Sequence, residues 1–312
     1  MGKTAFLFPG QGSQYVGMGR TLAESYPASR LVFETADQAL GFAISRLCVE
    51  GSEEDLRLTE HTQPALLTVS IAAFTVLREL GVRPDYVAGH SLGEYSALVA
   101  AGSLRFTDAL RLVRKRGRFM QAAVPAGKGA MAALLRLPPG RLDEILQQAA
   151  QGEIVSAANL NAPDQVVVAG HAGAVARAIE LAKTAGARRA VQLPVSAPFH
   201  CPLMKPAQDN MARELDAAPF DNLDWPLINN WQAREIHTGP EARQGLIEQI
   251  PNTVHWEESI RYLAAHGVDR FFEVGPGGVL TGLLRSIDPA LQGIRFGEAG
   301  DVEQVHVATG TH

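Results

Sequence analysis

Asp85-Tyr86-Val87-Ala88-Gly89-His90-Ser91-Leu92-Gly93-Glu94-Tyr95-Ser96-Ala97-Leu98-Val99-Ala100-Ala101 reads as a short apolar strand, a glycine-flanked turn and a helix. Gly81 ends the element before it and Gly102 stops the helix after it. The centre is G-x-S-x-G, weak as five letters alone. Strand, sharp turn and helix are the context that a nucleophile elbow requires. The tight turn strains the serine, and only glycine fits on either side. Its hydroxyl then stands above the sheet edge, where the next helix aims N–H groups that can stabilise an oxyanion. A glycine-rich turn with an N-capping serine is the plainer alternative.

Working outward, short β-rich runs alternate with helical ones, which predicts α/β layering around a largely parallel sheet. The first strand is expected at 4–8, others near 86–89, 190–195, 227–229 and 270–274. The loop Pro9-Gly10-Gln11-Gly12-Ser13-Gln14 follows the first strand, and its glycines allow close backbone approach to a ligand. It is a candidate second oxyanion donor. A phosphate loop is the competing reading, but no Gly-Lys-Ser/Thr follows, so Walker A is excluded. Between 129 and 195 the order changes to strand 130–135, helix 140–150, strand 153–158, strand 165–169, helix 173–185 and strand 188–193. That βαββαβ order predicts a ferredoxin-like subdomain at 126–195, inserted in a large α/β domain made of 1–125 and 196–300. Residues 301–312 lack periodicity and are expected to form a mobile tail.

The 312 residues are 46% hydrophobic and 20% charged, enough to bury a core without disulfides or metals. A net charge of −5 argues against broad binding to nucleic acid or anionic membrane. Cys48 and Cys201 are too few for a disulfide framework, which points to a reducing, cytoplasmic setting. No signal peptide or membrane span is legible: Pro9 and Gly10 end the first apolar run, and the stretch 65–77 is too short. Metal-ligand spacings are absent, so no metal site is expected. The chain is expected to act as a monomer.

The stretch 107–124 reads as one helix with Thr107 as its N-cap. Ala109, Leu112, Val113, Met120 and Ala123 share a face, and Arg116 lies in the middle of it. Arg111, Arg114, Lys115 and Arg118 fall on the opposite, solvated side. A core-facing arginine needs an anionic partner. That partner is either an internal carboxylate or one carried by a substrate, which a planar guanidinium binds bidentately. Among nine histidines, His200 stands out as a candidate base because it follows a strand end, where sites gather in α/β folds. A satisfied loop histidine is the alternative. His90 adjoins Ser91 and is expected to point elsewhere; His266, His306 and His312 lie on a helix or in the tail. Cys201, next to His200, reads as filler. No acidic residue offers itself as a third member.

Taken together, six segments resemble malonyl-CoA:acyl carrier protein transacylases, in order from about residue 4 to 287. They are Gly10-Gln11-Gly12-Ser13-Gln14, Gly89 through Leu98, Lys115-Arg116-Gly117, Asn159 through Val167, Pro198-Phe199-His200-Cys201-Pro202-Leu203-Met204, and Glu273-Val274-Gly275-Pro276-Gly277. The resemblance implies an α/β-hydrolase-like large domain and a ping-pong reaction. Ser91, activated by His200, takes malonyl from malonyl-CoA and passes it to the phosphopantetheine thiol of acyl carrier protein. The CoA thioester is a substrate, so no cofactor is implied.

The same resemblance makes the N–H groups of Gln11 and Leu92 the oxyanion donors and Arg116 the ligand of the malonyl carboxylate. It puts Gln63 and Asn161 near the pocket. It replaces the third catalytic member by a main-chain carbonyl within 252–256, beside His255, where such enzymes often carry Gln or Arg. Phe199 matches the malonyl-selecting form of its motif. A serine hydrolase and a non-catalytic binding subunit are the competing functions. Carrier docking is expected on basic residues near the domain cleft, with Lys183, Arg188 and Arg189 as candidates.

Overall fold

In the computed structural model, which describes residues 2–195 and 197–310, the strands form two sheets. Ser196 in the loop before His200, and His312, lie outside the described residues. The large sheet takes β1 (Lys3–Phe8), β2 (Tyr86–Gly89), β7 (Leu227–Ile228), β8 (Glu235–Ile236), β9 (Val268–Val274) and β10 (Gln292–Phe296). The small one takes β3 (Gly129–Leu135), β4 (Val155–Ala162), β5 (Gln165–His171) and β6 (Arg189–Gln192).

The large sheet has the order β10-β9-β1-β2-β7-β8, parallel except for the β7–β8 pair. Its central strands carry unbroken apolar runs, Ala5 to Phe8 in β1 and Tyr86 to Ala88 in β2, because both faces are covered. Phe6 and Phe8 point into one core with the helix Thr59–Glu79, while Ala5 and Leu7 point into another with Trp256 and Leu280. In the small sheet, β4-β5-β3-β6, every pair is antiparallel, and two helices, Leu142–Ala150 and Ala172–Thr184, cover it with a core of their own. This is the ferredoxin-like βαββαβ arrangement. The end of β4 reaches into the large domain: Asn159 bridges Val254, and the Leu160 N–H donates to the Val254 carbonyl.

Register places the site. Phe8 of β1 lies opposite Gly89 of β2, so the loops after the two strands emerge side by side. The His90 N–H donates to the Phe8 carbonyl, and a Cβ on Gly10 would stand 2.4 Å from the His90 carbonyl oxygen.

Several expectations need correction. The helix carrying Arg116 runs Phe106–Ala122, and its N-cap is Arg105, without a side-chain cap bond, so Thr107 does not cap it. Strands β8 and β10 escape a pattern reading because one has two residues and the other, Gln-Gly-Ile-Arg-Phe, is a short edge strand. The irregular tail is a helix over Val302–Thr309, opened by a turn in which Glu298 and Asp301 cap each other. Val302, Val305 and Ala308, three apart, lay one face of it on the core, with Val305 buried.

Gly93→Ala tests the elbow's packing. Its Cβ would sit 2.0 Å from the Phe8 carbonyl oxygen. We expect it to cost about 3 kcal/mol or more in a denaturant melt; an unchanged midpoint would contradict this packing.

Candidate active site

Ser91 sits at the elbow with φ 51°, in the left-handed region that non-glycine residues rarely occupy. The turn allows it because its glycines have no Cβ: one on Gly89 would overlap the Gly93 main chain at 2.0 Å. Asn230, just past β7, spans the turn. Its Oδ1 accepts from the Ser91 N–H at 2.7 Å and its Nδ2 donates to the Gly89 carbonyl at 2.7 Å. The strained conformation is thereby fixed from outside the elbow.

His200, also at positive φ (57°), brings its Nε2 to 2.7 Å from Ser91 Oγ. Its Nδ1 lies 2.8 Å from the main-chain carbonyl of Gln249, so Nδ1 carries the proton and Nε2 is free to accept one. A carbonyl thus orients the base: the close one belongs to Gln249, upstream of the expected 252–256 stretch, and the Asn252 main chain adds a smaller contribution. The His255 imidazole turns to Glu258 and does not line the cavity; the His255 main-chain N–H donates to the Asn230 carbonyl.

Arg116 is buried in the Ser91 cavity. Nη1 donates to Gln63 Oε1 at 2.9 Å; Nη2 donates to Gln249 Oε1 at 2.7 Å and to Ser91 Oγ at 3.1 Å. Among the described residues no carboxylate forms an ion pair with it, and its Nε–H has no partner. Tyr95 offers its ring at 5.6 Å. Burial opposes the arginine's charge, while Tyr95 and Glu94 support it. Arg111, Lys115 and Arg118 are exposed, with Lys115 on Glu214 and Arg118 on Glu60, whereas Arg114, expected on the solvated side, is half-buried over the Phe42 ring.

The cavity above Ser91 has a volume of about 110 Å³. Phe199, Met120 and Met131 supply apolar wall, and Gln11, Gln63 and His90 reach it too. The N–H groups of Gln11 and Leu92 have no hydrogen-bond partner among the described residues, so two donors from separate segments remain available beside the nucleophile. Asn161 stands one layer back, where its Oδ1 accepts from His90 Nε2 at 2.8 Å. A wider cavity of about 270 Å³ continues outward, sharing Gln11, Leu193 and Val195 with the first. Cys201 is filler: its thiol donates to the Pro198 carbonyl and burial raises its pKa to about 11.

Sequence reasoning missed Gln249, Asn230, Glu94 and the His90 ring as parts of this site. Asn230 had a usable signal, its place just after a strand end. Gln249 had none, since any residue could supply the carbonyl.

Burial and then the Arg116 charge hold the His200 imidazole at about 3, far below its ordinary 6.5. A depressed value means the folded ring stays neutral, and thus a proton acceptor, well below neutrality. Stability drawn from it is intact above about pH 6.5 and is lost as pH falls toward 3. The rate of Ser91 acylation should therefore stay level between about pH 8 and about pH 5. A rate that halves near the midpoint of a free imidazole would contradict it.

The acyl transferase domain family matches residues 5–292. The malonyl CoA-acyl carrier protein transacylase of Bacillus subtilis (strain 168) is 48% identical over 97% of this chain and 96% of its own. The solved malonyl CoA-acyl carrier protein transacylase of Coxiella burnetii superposes with a TM-score of 0.97 at 41% identity, covering 100% of this chain and 98% of that one. A malonyl-transacylase solved in complex with a type II PKS acyl-carrier protein gives 0.95 at 42%, covering 99% and 100%. On this likeness, which spans nearly the whole length of both partners, the chain belongs to the malonyl-CoA–acyl carrier protein transacylases of the acyl transferase domain family.

Proposed function

We propose that this enzyme moves a malonyl group from malonyl-CoA to the phosphopantetheine thiol of acyl carrier protein through a malonyl-Ser91 intermediate. The observation that carries the reading is Arg116. It is a buried guanidinium, 3.1 Å from the nucleophile, with no carboxylate in contact among the described residues. A free acid on the acyl group supplies what it lacks.

In the first half, His200 Nε2 takes the Ser91 proton as Oγ attacks the thioester carbonyl. The Gln11 and Leu92 N–H groups receive the tetrahedral oxyanion. The carbon–sulfur bond breaks, and the CoA thiolate leaves with the proton from His200. Once Oγ is an ester, the Arg116 Nη2 bond to it weakens and that donor turns to the malonyl carboxylate, beside Nη1. In the second half the carrier's thiol gives its proton to Nε2 and attacks the ester, and Ser91 leaves with that proton. A malonyl group seated on Arg116 fills the small inner cavity and leaves water little room. The wider outer cavity fits the pantetheine arm.

For carrier docking, Arg188 and Arg189 are the better candidates. With Arg136 they line a surface cavity that also touches Ser286 of the large domain. Lys183 is paired with Glu180 instead. The carrier-bound relative supports a carrier as the second substrate, in fatty-acid or polyketide synthesis. Among the described residues no helix is long and apolar enough to cross a membrane. Both cysteines are buried free thiols, which supports a cytoplasmic setting for this reading.

Mass spectrometry of the Ser91 peptide after malonyl-CoA should show one malonyl group that the carrier discharges; rapid loss to water without a thiol would make the enzyme a hydrolase. Arg116→Ala should cut malonyl loading about 100-fold and acetyl loading far less, whereas equal losses would make the arginine structural. The Phe199 ring should crowd an α-methyl branch, so malonyl-CoA should outpace methylmalonyl-CoA by about tenfold or more. Comparable turnover of the two would remove Phe199 as the selector.

A further inference from the structure

Glu94 plays no part in the acyl-transfer steps, yet it is completely buried one turn from Ser91. Its Oε2 accepts from the Gln249 side-chain Nε2 at 2.7 Å and from the Asn230 N–H at 3.1 Å. Its Oε1 has no partner and faces Gly245, where even an added Cβ would come only to 3.4 Å. A buried carboxylate with one empty oxygen is a costly thing to keep.

Gln249 shows what it does. The Gln249 main-chain carbonyl orients His200, while the side-chain Oε1 accepts from Arg116. A guanidinium only donates, so the amide oxygen must face it. The amide nitrogen must then find acceptors on the other side, and it finds Glu94 Oε2 at 2.7 Å and the Ser91 carbonyl at 3.1 Å. A flipped amide would set donor against donor at Arg116 and acceptor against acceptor at Glu94. Without Glu94, the nitrogen keeps the Ser91 carbonyl and a 3.5 Å contact to Asn230 Oδ1.

We propose that Glu94 is a positioning residue for recognition of the substrate acid. By accepting from the Gln249 amide it locks that amide's orientation, and the amide oxygen in turn holds Arg116 where a malonyl carboxylate meets it. Burial raises the Glu94 pKa to about 7. Protonation does not undo the role, because the proton goes to the partnerless Oε1 and Oε2 accepts in both forms. Glutamine at this position offers the same acceptor; methionine, of similar length, offers none. The base is spared either way, since its partner is a main-chain carbonyl on a residue whose own N–H is fixed to Gly245.

This inference rests on the malonyl-transfer reading, and the test keeps the two apart. Rates of Ser91 acylation by malonyl-CoA and by acetyl-CoA are followed by intact-protein mass spectrometry. Absence of malonyl loading in the unaltered enzyme would overturn the transfer reading itself. Given that loading, Glu94→Met should slow malonyl acylation about thirtyfold and acetyl acylation less than about threefold. Glu94→Gln should stay within about threefold of the unaltered enzyme for both donors. Should Glu94→Met fail to fold, Glu94→Asp, one methylene too short to reach Gln249, takes its place with the same expectation. Equal losses for the two donors, unchanged malonyl loading, or a Glu94→Gln enzyme as poor as Glu94→Met would each overturn the role of Glu94.

Discussion

A guanidinium buried beside a nucleophilic hydroxyl is the constraint on which the rest of this molecule depends. Arg116 lies among apolar residues of its helix, and burial works against its charge. Two glutamine oxygens, the Ser91 hydroxyl and the Tyr95 ring hold it. None of these neutralises it. The protein keeps an incompletely balanced cation beside the nucleophile, and in the proposed reaction that folding cost becomes selectivity for acyl groups that end in an acid.

The surrounding structure serves that arrangement. Register between β1 and β2 sets the Gln11 loop against the elbow, so the unpartnered N–H groups of Gln11 and Leu92 belong to segments that meet there. The ferredoxin-like subdomain sends the end of β4 into the large domain and closes the cavity with Met131. Gln249 joins the two halves of the chemistry. Its backbone orients the base and its side chain orients the cation, so proton transfer and acid recognition share one anchor.

What was legible in the sequence follows how local each constraint is. The elbow is readable because its glycines flank the serine within five residues between a strand and a helix; Gly89 answers a clash inside that turn, while Gly93 answers one with Phe8 of β1. Arg116 is readable because helix periodicity exposes a charge on an apolar face, though periodicity cannot say which anion answers it. The βαββαβ subdomain is readable from its order of elements. His200 needed the family resemblance to rise above its eight rivals. Gln249 and Glu94 were not legible, and Asn230 offered only its place after a strand end, because each acts through contacts more than a hundred residues away in sequence or through a backbone atom. The helix at 302–309 was lost because it is only two turns long and packs through small, widely spaced residues.

The most direct test of the account is a crystal structure of the acyl-enzyme formed with malonyl-CoA. The account expects an ester on Ser91 Oγ, with the free carboxylate oxygens within about 3 Å of Arg116 Nη1 and Nη2. An ester whose carboxylate points into the outer cavity, while Arg116 keeps its contacts with protein groups alone, would contradict it.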